Sequence, residues 1–242
     1  MSGAPLPLAG GPLPLVLVPG SMCDARLFAP QVEALSTGRC LVLPSLALDD
    51  AVEDMAARVL AEAPPVFALL GLSLGGIVAM EVARRAPDRV ARLALLDTNH
   101  LPEPPAVAQT RASYVERARA GDLEGVMRDE LKPRYLAEGP RKAATLDLCM
   151  RMALDLGPDV FERQSRAIST RPDQSGALPG LAMPTLVLCG AQDGLCPPAR
   201  HDAIAALLPN ARRVTIAGAG HLPVLERPDE TNAAIAGWLD AA

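Results

Sequence analysis

The sequence predicts an α/β protein with a mostly parallel central sheet, flanking helices and an inserted helical segment. Short apolar runs without polar alternation, such as residues 184–189, are typical of buried parallel strands. These runs alternate with segments of helical pattern, which favours helices on both faces of one sheet. Between about residues 101 and 181 no convincing strand pattern occurs. We therefore expect a core of residues 1–98 and 182–242, interrupted by a helical cap of residues 99–181.

Six strands and a larger number of helices account for the chain in order. The strands are expected at residues 13–18, 40–44, 66–70, 92–96, 185–189 and 214–216. Helices are expected at residues 26–35, 52–63, 76–86, 113–120, 123–136, 141–156, from 158, 199–208 and 229–239. Asp49 and Asp50 are expected to cap the second helix, and Asp122 the fifth. Pro87 ends the third helix, while Gly157 and Pro158 separate two helices of the insertion.

Composition restricts the classes of protein that the chain can belong to. A length of 242 residues with 50% hydrophobic and 21% charged residues suits one large globular unit. The net charge of −5 and the absence of a basic cluster argue against a nucleic-acid partner. Aromatic residues make up only 2% of the chain, so an aliphatic pocket is expected. The stretch from Met1 to Pro12 lacks the basic start of a signal peptide, and no apolar run spans a membrane. We therefore expect a cytoplasmic protein without a membrane partner.

The five cysteines indicate free thiols rather than a disulfide framework. They are odd in number and scattered, and no CxxC pair suggests a zinc or redox site. Buried thiols in a reducing compartment are the simplest interpretation. Cys23 and Cys196 fall in loops expected near the functional site, where either could line a pocket. No metal or organic cofactor is predicted.

A serine at residue 73 is the first candidate catalytic residue. It lies in the pentapeptide GLSLG, residues 71–75, between a predicted buried strand and a predicted helix. A G-x-S-x-G turn in that context is typical of a nucleophile elbow, which exposes the serine hydroxyl at the start of the helix. The small glycines allow the strained turn to pack closely against its neighbours. The alternative interpretation is an ordinary serine in a strand-to-helix turn.

A nucleophilic serine requires a base, and the chain contains three histidines. His221 follows the strand at 214–216, so it should lie at the same edge of the sheet as Ser73. His100 follows the strand at 92–96 and is a second possibility. His201 is expected at the start of a surface helix and is the weakest candidate.

An acid should orient the histidine, and Asp193 is the favoured residue. It follows the strand at 185–189, whereas the alternative, Asp97, follows the strand at 92–96. An aspartate before a glycine is also common in simple turns. The order Ser73, Asp193, His221 matches the chain order expected of this class of site.

Together these blocks resemble the α/β-hydrolase-fold superfamily, and in particular small bacterial serine esterases and lactonases with a helical cap. The resemblance covers nearly the whole chain. It includes the elbow, the pattern of Gly190, Asp193 and Pro197, and the pattern GHLPVLERP at residues 220–228. It also includes the turn of Pro19 and Gly20, where many relatives have His-Gly. The insertion leads out of the carboxyl end of one strand and back into the next strand, which favours a lid over the site. The alternative is that its helices merely pack on the outside of the sheet.

The resemblance also implies two backbone donors for an oxyanion. One is the N–H of Leu74, directly after the nucleophile. The other comes from the loop after the first strand, where Ser21 is the expected donor and Met22 the alternative. The histidine that braces this loop in relatives is replaced here by Pro19.

The predicted function is hydrolysis of small carboxylic esters through a Ser-His-Asp triad and an acyl-enzyme. A lactonase or acyl thioesterase of the same fold is the alternative. Less favoured are a cofactor-free haloperoxidase, a lyase and a non-catalytic ligand-binding protein. The expected partner is a small ester-type molecule, and the oligomeric state is left open.

Overall fold

A central sheet of six parallel strands confirms the predicted fold class. The computed structural model of the protein describes residues 11–241, so most of the stretch from Met1 to Pro12 lies outside the described residues. The strand order is β2-β1-β3-β4-β5-β6, and every neighbouring pair is parallel. The strands are β1 (Leu15–Val18), β2 (Leu41–Val42), β3 (Phe67–Leu72), β4 (Val90–Leu96), β5 (Thr185–Gly190) and β6 (Ala211–Ile216).

The apolar runs become strands because they can be buried on both faces. Every residue of β1, β3 and β5 is buried. Alternate residues of these strands belong to two different apolar clusters, one on each side of the sheet. The edge strand β6 is only partly buried and begins three residues earlier than expected, at Ala211. The charged residues Arg212 and Arg213 interrupt the apolar pattern from which the strand was predicted, although an edge strand tolerates charged side chains.

Helices cover both faces of the sheet. They are α1 (Ala29–Leu35), α2 (Val52–Glu62), α3 (Leu74–Arg85), α7 (Pro198–Leu207), α8 (Pro223–Glu226) and α9 (Pro228–Leu239). Apolar residues of α2, α3 and α7 fill the first cluster, whereas α8 and α9 contribute to the second. None of the described helices combines the length and the apolar character needed to cross a membrane.

The expected aspartate cap of α2 is wrong. The residue before the helix is Ala51, and no side chain caps the first turn. Asp49 instead binds Arg58 with its carboxylate, at 2.6 Å, and Asp50 pairs with Arg166 of the inserted segment. Both carboxylates are therefore engaged by guanidinium groups rather than by the helix backbone.

The segment between β4 and β5 is helical and contains no strand in residues 97–184. It comprises α4 (Pro105–Arg117), two π-helical turns (Ala118–Asp122 and Val126–Leu131) flanking the short α5 (Leu123–Gly125), and α6 (Lys142–Ser169). The single helix expected at 123–136 is thus replaced by short helical and π-helical turns. Asp122 pairs with Arg117 instead of capping α5. The expected break in α6 is present, because Gly157 has φ 80° and ψ 176° and precedes Pro158.

Candidate active site

Ser73 occupies a strained turn between β3 and α3. Its φ of 56° and ψ of −117° lie outside the regions that most residues adopt. Two hydrogen bonds hold the turn: the Ser73 N–H donates to the Leu96 carbonyl at 2.9 Å, and Thr98 Oγ1 donates to the Ser73 carbonyl at 2.7 Å. The surrounding structure thus maintains a conformation that an isolated serine would rarely keep.

The glycines beside Ser73 permit the close approach of backbone to backbone. A Cβ added at Gly71 would lie 2.1 Å from the Gly75 carbonyl oxygen, and one at Gly75 would lie 2.1 Å from the Val18 carbonyl oxygen. Both distances are far below van der Waals contact, so neither position accepts a side chain without moving the backbone. The elbow pattern is therefore a packing requirement as well as a chemical one.

The structure brings Ser73, His221 and Asp193 into one hydrogen-bonded chain. His221 Nε2 lies 3.0 Å from Ser73 Oγ, and His221 Nδ1 lies 2.8 Å from Asp193 Oδ2. Asp193 and His221 are each only 3% exposed. The other oxygen of Asp193 accepts the N–H groups of Leu195 and Cys196 at 2.8 and 2.9 Å. Burial raises the pKa of Asp193, but His221 and these N–H donors outweigh it and lower the pKa overall.

The loop that carries His221 is held by a buried carboxylate that sequence reasoning left without a role. Glu226 accepts the N–H groups of Gly220 and Leu222, both at 3.0 Å, and that of Ala137 at 2.7 Å. The His221 N–H itself donates to the Tyr135 carbonyl at 2.6 Å. Glu226 thereby ties the histidine loop to the inserted segment. Its place in the GHLPVLERP pattern was the available signal.

The alternative acid, Asp97, lies beside the site without binding the histidine. It is fully buried and accepts the Gly190 N–H at 2.9 Å. Burial, followed by the neighbouring Asp193 carboxylate, raises the pKa of Asp97 well above its usual value. A protonated, neutral Asp97 beside an ionised Asp193 is the arrangement that these surroundings favour.

The other two histidines have no contact with Ser73 Oγ among the described hydrogen bonds. His100 is buried, and burial lowers its pKa. His201 is fully buried in α7, so the expectation of a surface position is wrong. Its Nε2 accepts the Thr98 N–H at 3.0 Å, and burial lowers its pKa to about 4. His201 is therefore a neutral acceptor that fixes Thr98, which in turn binds the Ser73 carbonyl.

Two of the three proposed oxyanion donors have free N–H groups. Within the described part of the chain, the N–H groups of Ser21 and Leu74 donate no hydrogen bond. The Met22 N–H, in contrast, donates to Gln164 Oε1 at 2.8 Å. This geometry favours Ser21 over the alternative, Met22.

Gln164 is the functional candidate that sequence reasoning missed. This residue of α6 is 1% exposed and accepts the Ser21 hydroxyl at 3.1 Å in addition to the Met22 N–H. Its Nε2 donates to the Leu46 carbonyl at 3.1 Å. The side chain thus joins the inserted segment to the loop after β1, which contains Pro19. A partner more than 140 residues away leaves no local sequence signal.

Backbone strain is concentrated around this site. Among the non-glycine residues that the structure describes, positive φ values occur at Met22 (54°), Ser73 (56°) and Asp97 (43°). These positions belong to the loop after β1, the elbow and the buried carboxyl next to Asp193. Strained residues persist only where their surroundings hold them, and they cluster at functional sites.

A cavity of about 270 Å³ opens beside Ser73 and His221. Its walls come from both the core and the inserted segment, and they combine aliphatic side chains with the aromatic rings of Tyr135 and Phe161 and with several polar and charged groups. The expectation of an aliphatic pocket is therefore met only in part. Cys196 lines the cavity, whereas Cys23 is buried elsewhere. The lining includes Ser21, Met22, Leu74, Ile77, Val107, Leu131, Tyr135, Phe161, Ile168 and Leu195.

The thiols are unpaired, as expected, but not all are buried. All five cysteines are free, and Cys40 is exposed, so the expectation of burial is wrong there.

Potential ligand atoms of Asp193, Cys196 and His221 lie within 4.8 Å of one another. Burial raises the pKa of the Cys196 thiol, which keeps it protonated and disfavours metal binding.

A serine on a strained strand-to-helix turn, hydrogen-bonded to a histidine and an acid at the carboxyl ends of parallel strands, is the arrangement found in α/β hydrolases. The family described as the alpha/beta hydrolase fold matches residues 36–228. The chain belongs to this family, as predicted.

Individual relatives point to ester hydrolysis. A pimeloyl-[acyl-carrier protein] methyl ester esterase of Xanthomonas oryzae pv. oryzae is 30% identical over 91% of this chain and 92% of its own length. A thermophilic esterase from Thermogutta terrifontis, solved with malate bound, is 31% identical with a TM-score of 0.86, covering 95% of this chain and 90% of that one. The prediction of a carboxylic ester hydrolase is confirmed at the level of enzyme class.

One further relative is much larger. The polyketide synthase ThaQ of Burkholderia thailandensis is 33% identical over 72% of this chain, but the match spans only 8% of the synthase. The match therefore carries no conclusion about the activity of this chain.

Proposed function

We propose that this protein is a serine esterase that hydrolyses small carboxylic esters through an acyl-enzyme on Ser73. The observation that carries the proposal is the continuous contact from Ser73 Oγ through His221 to Asp193, with separations of 3.0 and 2.8 Å. These distances suit proton transfer between the hydroxyl and the imidazole. The adjoining cavity provides room for an acyl group beside the hydroxyl.

Each side chain has a defined step in this mechanism. His221 Nε2 accepts the proton of Ser73 as its oxygen attacks the ester carbonyl, and the imidazolium then gives that proton to the departing alcohol. Asp193 accepts the Nδ1–H, which fixes the tautomer and stabilises the charged ring. Water repeats the attack on the acyl-enzyme, with His221 again as the base, and releases the acid.

The negative charge on the carbonyl oxygen requires preorganised donors. We assign this role to the N–H groups of Leu74 and Ser21, since neither is engaged within the described residues. The loss of one such donor typically raises the barrier by about 2.7–4 kcal/mol. The start of α3 adds a favourable dipole at the same position.

Residues 99–181 are assigned as a cap domain on a core of residues 1–98 and 182–242. The cap role is supported by Tyr135, Phe161 and Ile168, which line the cavity from the inserted segment. Walls of this kind exclude water and select the acyl group.

The free thiols and the absence of a membrane-spanning helix among the described residues are compatible with the cytoplasm.

A methyl ester of a carrier-bound acyl chain is a second candidate, favoured by the name of the Xanthomonas relative. A carrier protein would need an accessible basic surface on the cap. However, many cap arginines are already paired with carboxylates of this chain, among them Arg117, Arg119 and Arg128. This pairing favours the small-molecule ester.

The test is the replacement Ser73→Ala in the otherwise unchanged protein. We expect it to abolish turnover of p-nitrophenyl butyrate, by about 10⁴-fold or more, with an unchanged melting temperature. Labelling by a fluorophosphonate probe should disappear in parallel. Ser113→Ala, an exposed serine of α4, is the matched control and should keep both signals. Retained activity or labelling in Ser73→Ala would refute the proposal.

A further inference from the structure

The cavity beside Ser73 carries an excess of positive charge, although the whole chain carries −5. Its charged lining residues are Arg111, Arg171, Arg200 and a single acid, Glu103. Three guanidinium groups and one carboxylate leave two positive charges uncompensated. The net negative charge of the chain does not explain why three arginines lie around this cavity.

The Glu103 carboxylate is already engaged by neighbouring residues of this chain. Its side chain is 2% exposed and binds Arg111 through two hydrogen bonds, at 2.6 and 2.9 Å. Burial raises the pKa of Glu103, but its contacts with Arg111 and Arg171 outweigh burial and lower the pKa overall. The carboxylate is therefore ionised. The Glu103 carboxylate also accepts a hydrogen bond from the Ser169 hydroxyl at 3.1 Å. It therefore cannot neutralise a second guanidinium group completely.

Arg171 is the buried charge that this arrangement leaves in excess. The residue is 8% exposed, and its contact with Glu103 is long, at 3.3 Å. Its Nε and Nη1 donate to the Leu101 and Ile168 carbonyls, both at 2.8 Å. Its Nη2 donates no hydrogen bond within the described residues. A buried charge without full compensation is costly, so an anion from outside would relieve it.

Arg200 adds a second charge on another wall of the cavity. It is half-buried near the start of α7, and no carboxylate of the described residues lies within ion-pairing distance of it. A guanidinium group binds a carboxylate through two parallel hydrogen bonds, which gives both affinity and orientation. Arg200 is therefore the accessible partner for an incoming anion.

We propose that the substrate carries a free carboxylate, and that Arg200 together with Arg171 binds it while Ser73 attacks the ester. This inference rests on the proposed esterase function and specifies its substrate class: monoesters of small dicarboxylic acids. The cavity of about 270 Å³ suits an acyl chain of only a few carbons. A carboxylate is favoured over a phosphate because a second carboxyl is the smallest addition to a carboxylic ester.

The experiment compares two esters that differ only in charge. Monomethyl adipate and methyl hexanoate share a six-carbon acyl chain, and only the first is an anion at pH 7.5. The measured quantity is the ratio of kcat/KM for the anionic ester to that for the neutral ester. We expect this ratio to exceed about ten in the wild-type protein and to fall about tenfold or more in Arg200→Gln. Added NaCl at 0.5 M should also lower it, because salt screens exposed charges.

Arg151→Gln is the matched control. It removes the same charge from an exposed position of α6 that is not part of the cavity lining, so its ratio should equal that of the wild type. A wild-type ratio of one or below, or an unchanged ratio in Arg200→Gln, would overturn the inference. Stronger competitive inhibition by inorganic phosphate than by glutarate would overturn the assignment to a carboxylate. If neither ester is hydrolysed and p-nitrophenyl butyrate is also stable, the esterase function itself fails.

Discussion

The carboxyl edge of the sheet and the inserted helical segment both line one cavity, but they differ in how they are packed. At the sheet edge, backbone packs on backbone: Gly190, like Gly71 and Gly75, leaves less than 2.5 Å for a Cβ. The inserted segment instead contains π-helical turns, a break at Gly157 and many surface ion pairs. The first region leaves little freedom to vary. The second can change in shape and charge except where it contacts the loops of His221 and Ser21, at Tyr135, Ala137 and Gln164.

This contrast separates chemistry from selectivity. The sheet edge holds the groups that we propose to react, and the inserted segment supplies Arg171, one of the two arginines that we propose to bind the substrate carboxylate. Gln164 crosses between the two regions. Substitutions in the two regions should therefore differ in the size of their effect on activity and in whether they change kcat or KM.

The largest expected effect is the difference in kcat between variants of Asp193 and Asp97, two aspartates that each follow a buried strand in the sequence. Asp193→Asn should lower kcat by roughly 10³- to 10⁴-fold, because an amide favours the wrong tautomer of His221. Asp97→Asn should stay within about threefold of the wild type, since burial already favours the neutral form of Asp97. Steady-state kinetics on p-nitrophenyl butyrate measures both. Equal losses in the two variants would show that both carboxyls act on the imidazole.

A smaller effect is expected where the two regions are joined. Gln164→Met keeps the length of the side chain but removes the acceptor for the Met22 N–H and the Ser21 hydroxyl. We expect kcat to fall about tenfold or more with little change in KM, because the loop that carries the Ser21 N–H loses its support. Ser21→Ala, which keeps the backbone donor, should cost only a few-fold.

A transition-state analogue distinguishes positioning from general damage. An alkyl boronic acid places negative charge where the oxyanion forms, so its affinity should fall in Gln164→Met in proportion to kcat. The affinity for the acid product should change little. A fall in KM or melting temperature alone, with kcat and boronate affinity intact, would contradict a positioning role for Gln164.

The smallest effect concerns stability and the buried imidazole behind the elbow. His201 has a pKa of about 4 in the folded protein, against 6.5 for an ordinary histidine. As the pH falls below 6.5, the unfolded chain takes up a proton that the folded protein does not, so the free energy of unfolding decreases. Between pH 7 and pH 5 this amounts to about 2 kcal/mol. The loss is complete only below pH 4, where His201 is protonated in the folded protein as well.

Urea unfolding of the wild type and of His201→Gln at pH 7 and pH 5 tests this assignment. The glutamine can still accept the Thr98 N–H but does not titrate, so its stability should depend less on pH by about 2 kcal/mol. The same pH dependence in both proteins would mean that another group titrates.

Sequence reasoning succeeded where the relevant interactions are local or follow from topology. Continuous apolar runs identified the buried strands, and the G-x-S-x-G turn identified Ser73, because both patterns are set by packing within a few residues. Asp193 and His221 could be found because the carboxyl ends of parallel strands meet at one edge. Their catalytic roles remain predictions that the variants above test.

The errors and omissions arise where contacts between residues far apart in the chain determine the structure. Asp49 and Asp50 follow the rule for helix caps, yet arginines from elsewhere engage them. His201 resembles a surface residue until α7 packs on the sheet. No sequence pattern indicates the contacts of Gln164, or that Glu103 binds both Arg111 and Arg171. These contacts depend on how the inserted segment packs on the core, which only the three-dimensional structure shows.

Met22, Ser73 and Asp97, the non-glycine residues of positive φ in the described part of the chain, also set a limit for engineering this enzyme. Glycine at position 22, 73 or 97 would relax a left-handed backbone and reduce strain of order 1–3 kcal/mol per residue. Each change would also delete a side chain from the reaction centre or its support. Thermal robustness and turnover are thus in direct competition at these positions, and laboratory selection for heat tolerance should find its gains on the far side of the sheet.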